Sequence, residues 1–128
     1  MDWEKARTYA PAVLRYGLTV VFFWFGISQL TNPSGWLGFL PGFAASIANP
    51  VTLVYLNGAF EIVLAVFLGL GLYIRLFSGL TALQLLSIVV FSVGLSAIGI
   101  RDFGLMIAAL AVFLHGPDKL CLDMKRKK

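Results

Sequence analysis

From Val51 to Tyr73 the chain runs through apolar residues with a single charged side chain, Glu61, set far from either end. About 20 such residues in a helix cross the ~30 Å of hydrocarbon in a bilayer. Translocon insertion scales put one carboxylate at mid-membrane at roughly 2.5–3.5 kcal/mol. The run is therefore a membrane span that must turn Glu61 towards protein. Asn57 lies one helical turn before Glu61, and Ala65 and Gly69 continue that face, because residues four apart are neighbours on a helix. Polar and small side chains on one face are what helices offer each other in lipid. Packed membrane helices and a buried polar site are thus expected together.

Composition agrees. Of 128 residues, 59% are hydrophobic and 12% charged, against the roughly 25% charged residues of soluble domains, and mean hydropathy is +0.89. Cys121 is the single cysteine, which excludes an intrachain disulfide and a CxxC redox pair. The first apolar run is too long for the core of a cleaved leader and is read as a retained helix.

The expected organisation is one membrane domain, 1–128, with helices over 10–30, 51–73, 76–98 and 100–115 and a basic tail over 116–128. In the first helix Arg15, Thr19, Phe22, Gly26 and Gln29 recur at alternating spacings of four and three, a packing seam. Arg15 is close enough to the boundary to snorkel to lipid phosphates. The uncharged segment 31–50 is broken by Pro33, Gly35, Pro41, Gly42 and Pro50. It is expected to lie in the interface with Trp36 at headgroup level, a short helix opening at Pro41, and to act as a surface cap or as a lid over a site. Gln84 on the third helix is read as an interhelical hydrogen bond. The fourth run is clean only from Phe103 to Leu114, about 18 Å of helix. Gly94 and Gly99 are expected to let the preceding turn fold inward and draw Arg101 and Asp102 into the bundle. Asp102 would then sit at the positive helix N-terminus, with Gly104, Ala108, Ala111 and His115 as the seam. Gly116-Pro117 stops the helix.

Every basic residue except Arg101 falls on one side of this topology, which predicts both termini in the cytoplasm and places the chain as a multi-pass protein of the plasma (inner) membrane. Gln29, Asn57, Glu61, Arg101 and Asp102 then converge near the outer face. A Glu61–Arg101 pair is the expected way to satisfy the carboxylate. It would be either a clip that fixes helix order or part of a pocket for a headgroup, a quinone carbonyl or a small oxyanion. His115 is alone at the opposite end, and no HxxxH, CxxC or Gly-rich phosphate loop appears. No metal site, nucleotide site, nucleic-acid surface or catalytic residue is therefore assigned.

Arg15-x-Gly17-Leu18, Phe25-Gly26-Ile27-Ser28-Gln29-Leu30-x-Asn32-Pro33-x-x-Trp36, Gly58-x-x-Glu61, Gly71, Arg75 and Arg101-Asp102-x-Gly104-Leu105 together resemble the DoxX family of small four-helix membrane proteins. The resemblance runs from Arg15 to Asp123. It implies kinship with subunits associated with thiosulfate:quinone oxidoreductase and with redox-stress assemblies. Members often carry a basic residue where this chain has Gln29, a histidine near Gln84, and a small residue such as serine where it has Cys121.

The reading is an all-α, integral membrane four-helix bundle with an interfacial outer segment between the first two helices. Its expected role is a non-catalytic accessory or ligand-binding subunit of a quinone-linked sulfur or redox system, with quinone or lipid as ligand. Its expected partners are membrane lipids and other membrane or redox subunits, or a second copy of the chain. The alternative is a small transporter using the membrane-embedded Glu61. Such a carrier would be expected to bear its Glu in the first helix and to lack a strong charge bias.

Overall fold

The computed structural model describes residues 2–40, 42–90 and 96–123, and among these the fold is all-α, with no strand. Helix α1 spans Trp3–Thr31, α2 Pro50–Leu70, α3 Ile74–Ile88 and α4 Ala97–His115. Between α1 and α2 lie two short 3-10 helices, Pro33–Phe39 and Gly42–Ser46. The expected helix opening at Pro41, the turn at Gly94 and the basic residues Lys125–Lys128 lie outside the described residues.

Local signals explain most helix ends. Asp2 caps α1 by accepting from the Glu4 and Lys5 amides, so this helix starts well before the apolar run. Asn49 accepts from the Val51 amide, with Pro50 in the first turn, where its missing N–H is no loss. Gly71 ends α2 in the left-handed region at φ 73°, the usual glycine C-cap. Ser96 caps α4 through the Gly99 amide, and Gly116 closes it.

This changes the reading of the last two helices. Helix α3 has 15 residues, about 22 Å, and its α-helical stretch ends at Ile88 instead of reaching 98. Helix α4 starts at Ala97, three residues before the expected 100, and has 19 residues, about 28 Å. The fourth helix is therefore not short, and Asp102 sits in its second turn instead of at its N-terminus. Helices α1, α2 and α4 are long and apolar enough to cross a membrane, while α3 is a shorter apolar helix.

Helix α1 packs along α2 and α3 along α4, and the two pairs meet through α1–α4 and α2–α3 contacts. The α1 seam lies where its spacing put it: Arg15, Thr19, Phe22, Gly26 and Gln29 are all buried, joined by Ala12 and Leu18. On α2 the buried residues are Val54, Gly58, Glu61, Leu64, Ala65 and Leu68. The two helices come into close contact at Gly26 and Gly58. A Cβ on Gly26 would stand 3.0 Å from the Gly58 carbonyl and 2.7 Å from Ile62 Cδ1. The α4 seam differs from the expected one. Gly99, Asp102, Ala109 and Val112 are buried, whereas Gly104, Ala111 and His115 are exposed and Ala108 half-buried. The reason is that the one carboxylate on this helix turns inward, and the residues in phase with it follow.

The core joins Leu18, Phe22, Leu64, Ala65, Leu68, Ile74, Leu85, Ala109, Val112 and Cys121. Outside it Val20, Trp24, Leu56, Val63, Leu83, Ile107 and Leu114 are exposed, which suits helices whose surroundings are hydrocarbon. Apolar burial gives such helices little reason to associate, so close packing and polar contacts must hold them.

At the tail end, residues 116–123 fold back onto the end of α2, the start of α3 and Arg15 of α1. Arg15 is fully buried and does not snorkel. Its Nε donates to Asp118 Oδ2 at 2.8 Å and its Nη2 to Oδ1 at 3.3 Å. Nη1 donates to the Leu68 and Gly69 carbonyls at 2.6 and 2.9 Å, in the last turn of α2, where helix carbonyls lack intrahelical partners. Asp123 accepts from the Tyr73 and Ile74 amides, both at 2.8 Å, and so caps α3 from fifty residues downstream. Tyr73 itself holds φ 49°. Cys121 packs so closely on Gly71 that a Cβ there would stand 2.6–2.7 Å from its Cα, Cβ and Sγ atoms. Burial raises the Cys121 thiol above its ordinary pKa. Burial would also raise the Asp118 carboxyl, but the Arg15 guanidinium and the Leu120 amide outweigh it and hold the group below the usual carboxylate range.

Candidate functional site

The close approach at Gly26 and Gly58 brings the next turn of α1 against α2, and this is what lets Gln29 reach Glu61. Gln29 Nε2 donates to Glu61 Oε2 at 3.0 Å. Asn57 Nδ2 donates to Glu61 Oε1 at 3.1 Å and to Gln29 Oε1 at 2.8 Å. These three side chains form a closed ring in which each carboxylate oxygen accepts one amide hydrogen. Gln84 on α3 joins from the side, donating Nε2 to Asn57 Oδ1 at 2.5 Å. Amide donors on α1 and α2 thus replace the water that a carboxylate loses in a membrane, and α3 holds one of those donors in place.

The expected Glu61–Arg101 ion pair is not formed among the described residues; the ion pairs there are Arg7–Glu4 and Arg15–Asp118. Arg101 and Asp102 are consecutive on α4, and consecutive helical residues point about 100° apart, so both cannot face inward. Asp102 takes the buried position and Arg101 stays exposed.

All five residues singled out in the sequence nevertheless line one cavity of about 420 Å³. Gln29, Asn57, Glu61, Arg101 and Asp102 are joined in its lining by Gln84 and Ser87. Gln84 and Ser87 were not assigned to the site from the sequence; Gln84 was read as an interhelical hydrogen bond, and Ser87, three residues on, lies on the same face of a helix. The remaining lining is apolar and largely aromatic. Phe22 and Phe25 come from α1, Leu53 and Val54 from α2, Leu85 from α3 and Leu105 from α4. Trp36, Phe39, Leu40, Phe43, Ala44 and Ile47 come from the segment between α1 and α2.

That segment is fixed to α1 by its tryptophan. Trp36 Nε1 donates to Ser28 Oγ at 3.0 Å, and its ring meets Phe25 edge-on, centroids 5.4 Å apart. Phe39 also packs on the indole, tilted, with centroids 5.3 Å apart. The proline- and glycine-broken stretch therefore forms a wall of the cavity through Trp36, Phe39 and Phe43. Chemically, the site offers carboxylate and amide groups beside an apolar chamber that a small amphipathic molecule would fill.

Three long apolar helices and a polar cluster buried among their neighbours define the class: a helical membrane protein. Residues 10–94 match the DoxX protein family, and the chain belongs to that family. The match covers Gln29, Asn57, Glu61 and Gln84 and ends before Arg101 and Asp102. Comparisons with curated proteins and with solved structures return no match.

Proposed function

We propose that the chain is a four-helix membrane bundle, both termini cytoplasmic, that binds a small amphipathic ligand as a non-catalytic accessory subunit. In this reading the 3-10 segment lies at the outer interface as a lid, and the ligand is a quinone or a lipid. The assembly it serves is a quinone-linked redox system, the setting that the family resemblance suggests. The observation that carries the reading is the cavity itself. Polar side chains from the helices gather within one apolar chamber of about 420 Å³, in the 300–1,000 Å³ range typical of small-molecule sites. A clip fixing helix order would need only the Gln29–Asn57–Glu61 ring. The charge distribution supports the orientation, since Arg101 lines the cavity while Arg75 lies against Gly116 at the tail end.

The test is gentle purification from native membranes followed by native mass spectrometry of the wild type and a Val54→Trp variant that fills the chamber. The expected result is a small molecule retained by the wild type and lost from a variant that remains folded by circular dichroism. Equal retention by both would refute the binding role of this cavity.

A further inference from the structure

The hydrogen-bond accounting of the cavity is unbalanced, and the imbalance has a direction. Asn57 spends both amide hydrogens, one on Gln29 and one on Glu61. The Glu61 carboxylate accepts one hydrogen at each oxygen, half of the roughly four lone-pair sites a carboxylate offers. Asp102 is only 7% exposed, lines the cavity and has no hydrogen-bond partner among the described residues. None of its oxygens is sealed off without a partner, and the residue forms part of the cavity wall. The ionisable groups lining the chamber are Glu61, Asp102 and Arg101, of which Arg101 is exposed and the two carboxyls are buried. The site is thus rich in hydrogen-bond acceptors.

We infer that the cavity selects a molecule with a hydrogen-bond-donating headgroup, a hydroxyl or a protonated amine, on an apolar body, the headgroup bridging Asp102 and Glu61. This rests on the binding role proposed above and narrows its ligand. A buried carboxylate without a donor is costly, and hydrogen bonds to charged groups are the strong ones. A donor headgroup relieves Asp102, whereas an anion or an acceptor-only group brings further lone pairs to it. A small oxyanion is therefore the wrong ligand. Of a quinone and its hydroquinone, the cavity holds the hydroquinone, which carries the O–H groups.

The experiment compares bodies matched in size. Trp3→Phe and Trp24→Phe leave Trp36, on the cavity wall, as the single indole. Its fluorescence is titrated in detergent micelles with para-hexylphenol, its methyl ether para-hexylanisole, hexylamine and hexanoate. Saturable binding of the phenol and the amine is expected, with the ether and the carboxylate at least about tenfold weaker, the worth of one charge-assisted hydrogen bond. Passive partitioning would favour the ether, the more apolar of the first pair, so the ranking cannot arise from the micelle. Asp102→Asn is expected to weaken the amine by at least about tenfold while the variant stays folded, since that carboxylate bonds no described residue. Binding of the ether or hexanoate as tight as that of the phenol overturns the donor selectivity and leaves a binding cavity. An unchanged amine affinity in Asp102→Asn also overturns the inference. Absence of saturable binding by all four probes removes the binding role as well.

Discussion

Replacing Arg15 tests how the tail end of the molecule is held. The side chains of Arg15 and Asp118 are 0% and 2% exposed, so solvent can neither screen nor replace the pair. Arg15→Met strands a buried carboxylate and withdraws the donor from the Leu68 and Gly69 carbonyls. Removing one member of a buried pair costs about 3–5 kcal/mol. Asp118→Leu strands the guanidinium and falls in the same range. The double variant has no stranded charge and loses the bonds to the carbonyls and the bond from the Leu120 amide to Asp118, each worth about 0.5–1.5 kcal/mol, or up to about 3 to a charged group. The two substitutions should therefore be strongly coupled, by more than about 2 kcal/mol. The assay is unfolding by sodium dodecyl sulfate in mixed micelles, followed by circular dichroism, at pH 7 and then at falling pH. The Asp118 pKa is depressed in the folded protein, so its contribution is fully present above the unfolded value of ~3.9. It is lost as pH falls from there through the folded pKa. The wild type should lose stability relative to the double variant in that acidic window. Additive losses, or a difference between the two that ignores pH, would refute the reasoning.

The polar ring makes a contrasting prediction. Glu61→Gln and Arg101→Gln should be additive in stability, because the two groups do not pair, whereas Glu61→Leu and Gln29→Leu should couple by about 0.6–1.7 kcal/mol, the range measured for membrane hydrogen bonds. Coupling between Glu61 and Arg101 would restore the ion pair. Cys121 is fully buried, with its thiol pKa raised, so maleimide should leave it unmodified from either side of the membrane until the protein is unfolded. Rapid labelling of the folded protein would show that residues 116–123 do not stay docked.

Much of the site was legible because its signals are local and periodic. Arg15, Thr19, Phe22, Gly26 and Gln29 share one face of a continuous helix, and a charged residue in an apolar run must face inward. Glu61 and Gln29 could therefore be placed in one site before their contact was known. The Glu61–Arg101 pairing failed because it was chosen by charge type. Which of two neighbours faces inward depends on where α4 starts, and Ser96 sets that start. Its spacing to Gly99 was the available cap signal. On α4 the seam was read from small residues, but the inward turn of Asp102 decided it. The Arg15–Asp118 and Tyr73–Asp123 contacts leave no periodic trace, since each joins positions far apart in the chain, and lysines around the tail drew the reading towards topology.

The span of the Arg15–Asp118 contact also orders assembly in time. The partners are 103 residues apart, so α1 is made and inserted long before residue 118 exists. Until then its guanidinium has no protein carboxylate of this kind to meet. The first helix is therefore expected to find its acceptors on α2 first and to be fully seated only when the segment after α4 arrives. A ribosome stalled before residue 118 would leave a chain whose helices are in the membrane but whose first helix is not yet seated.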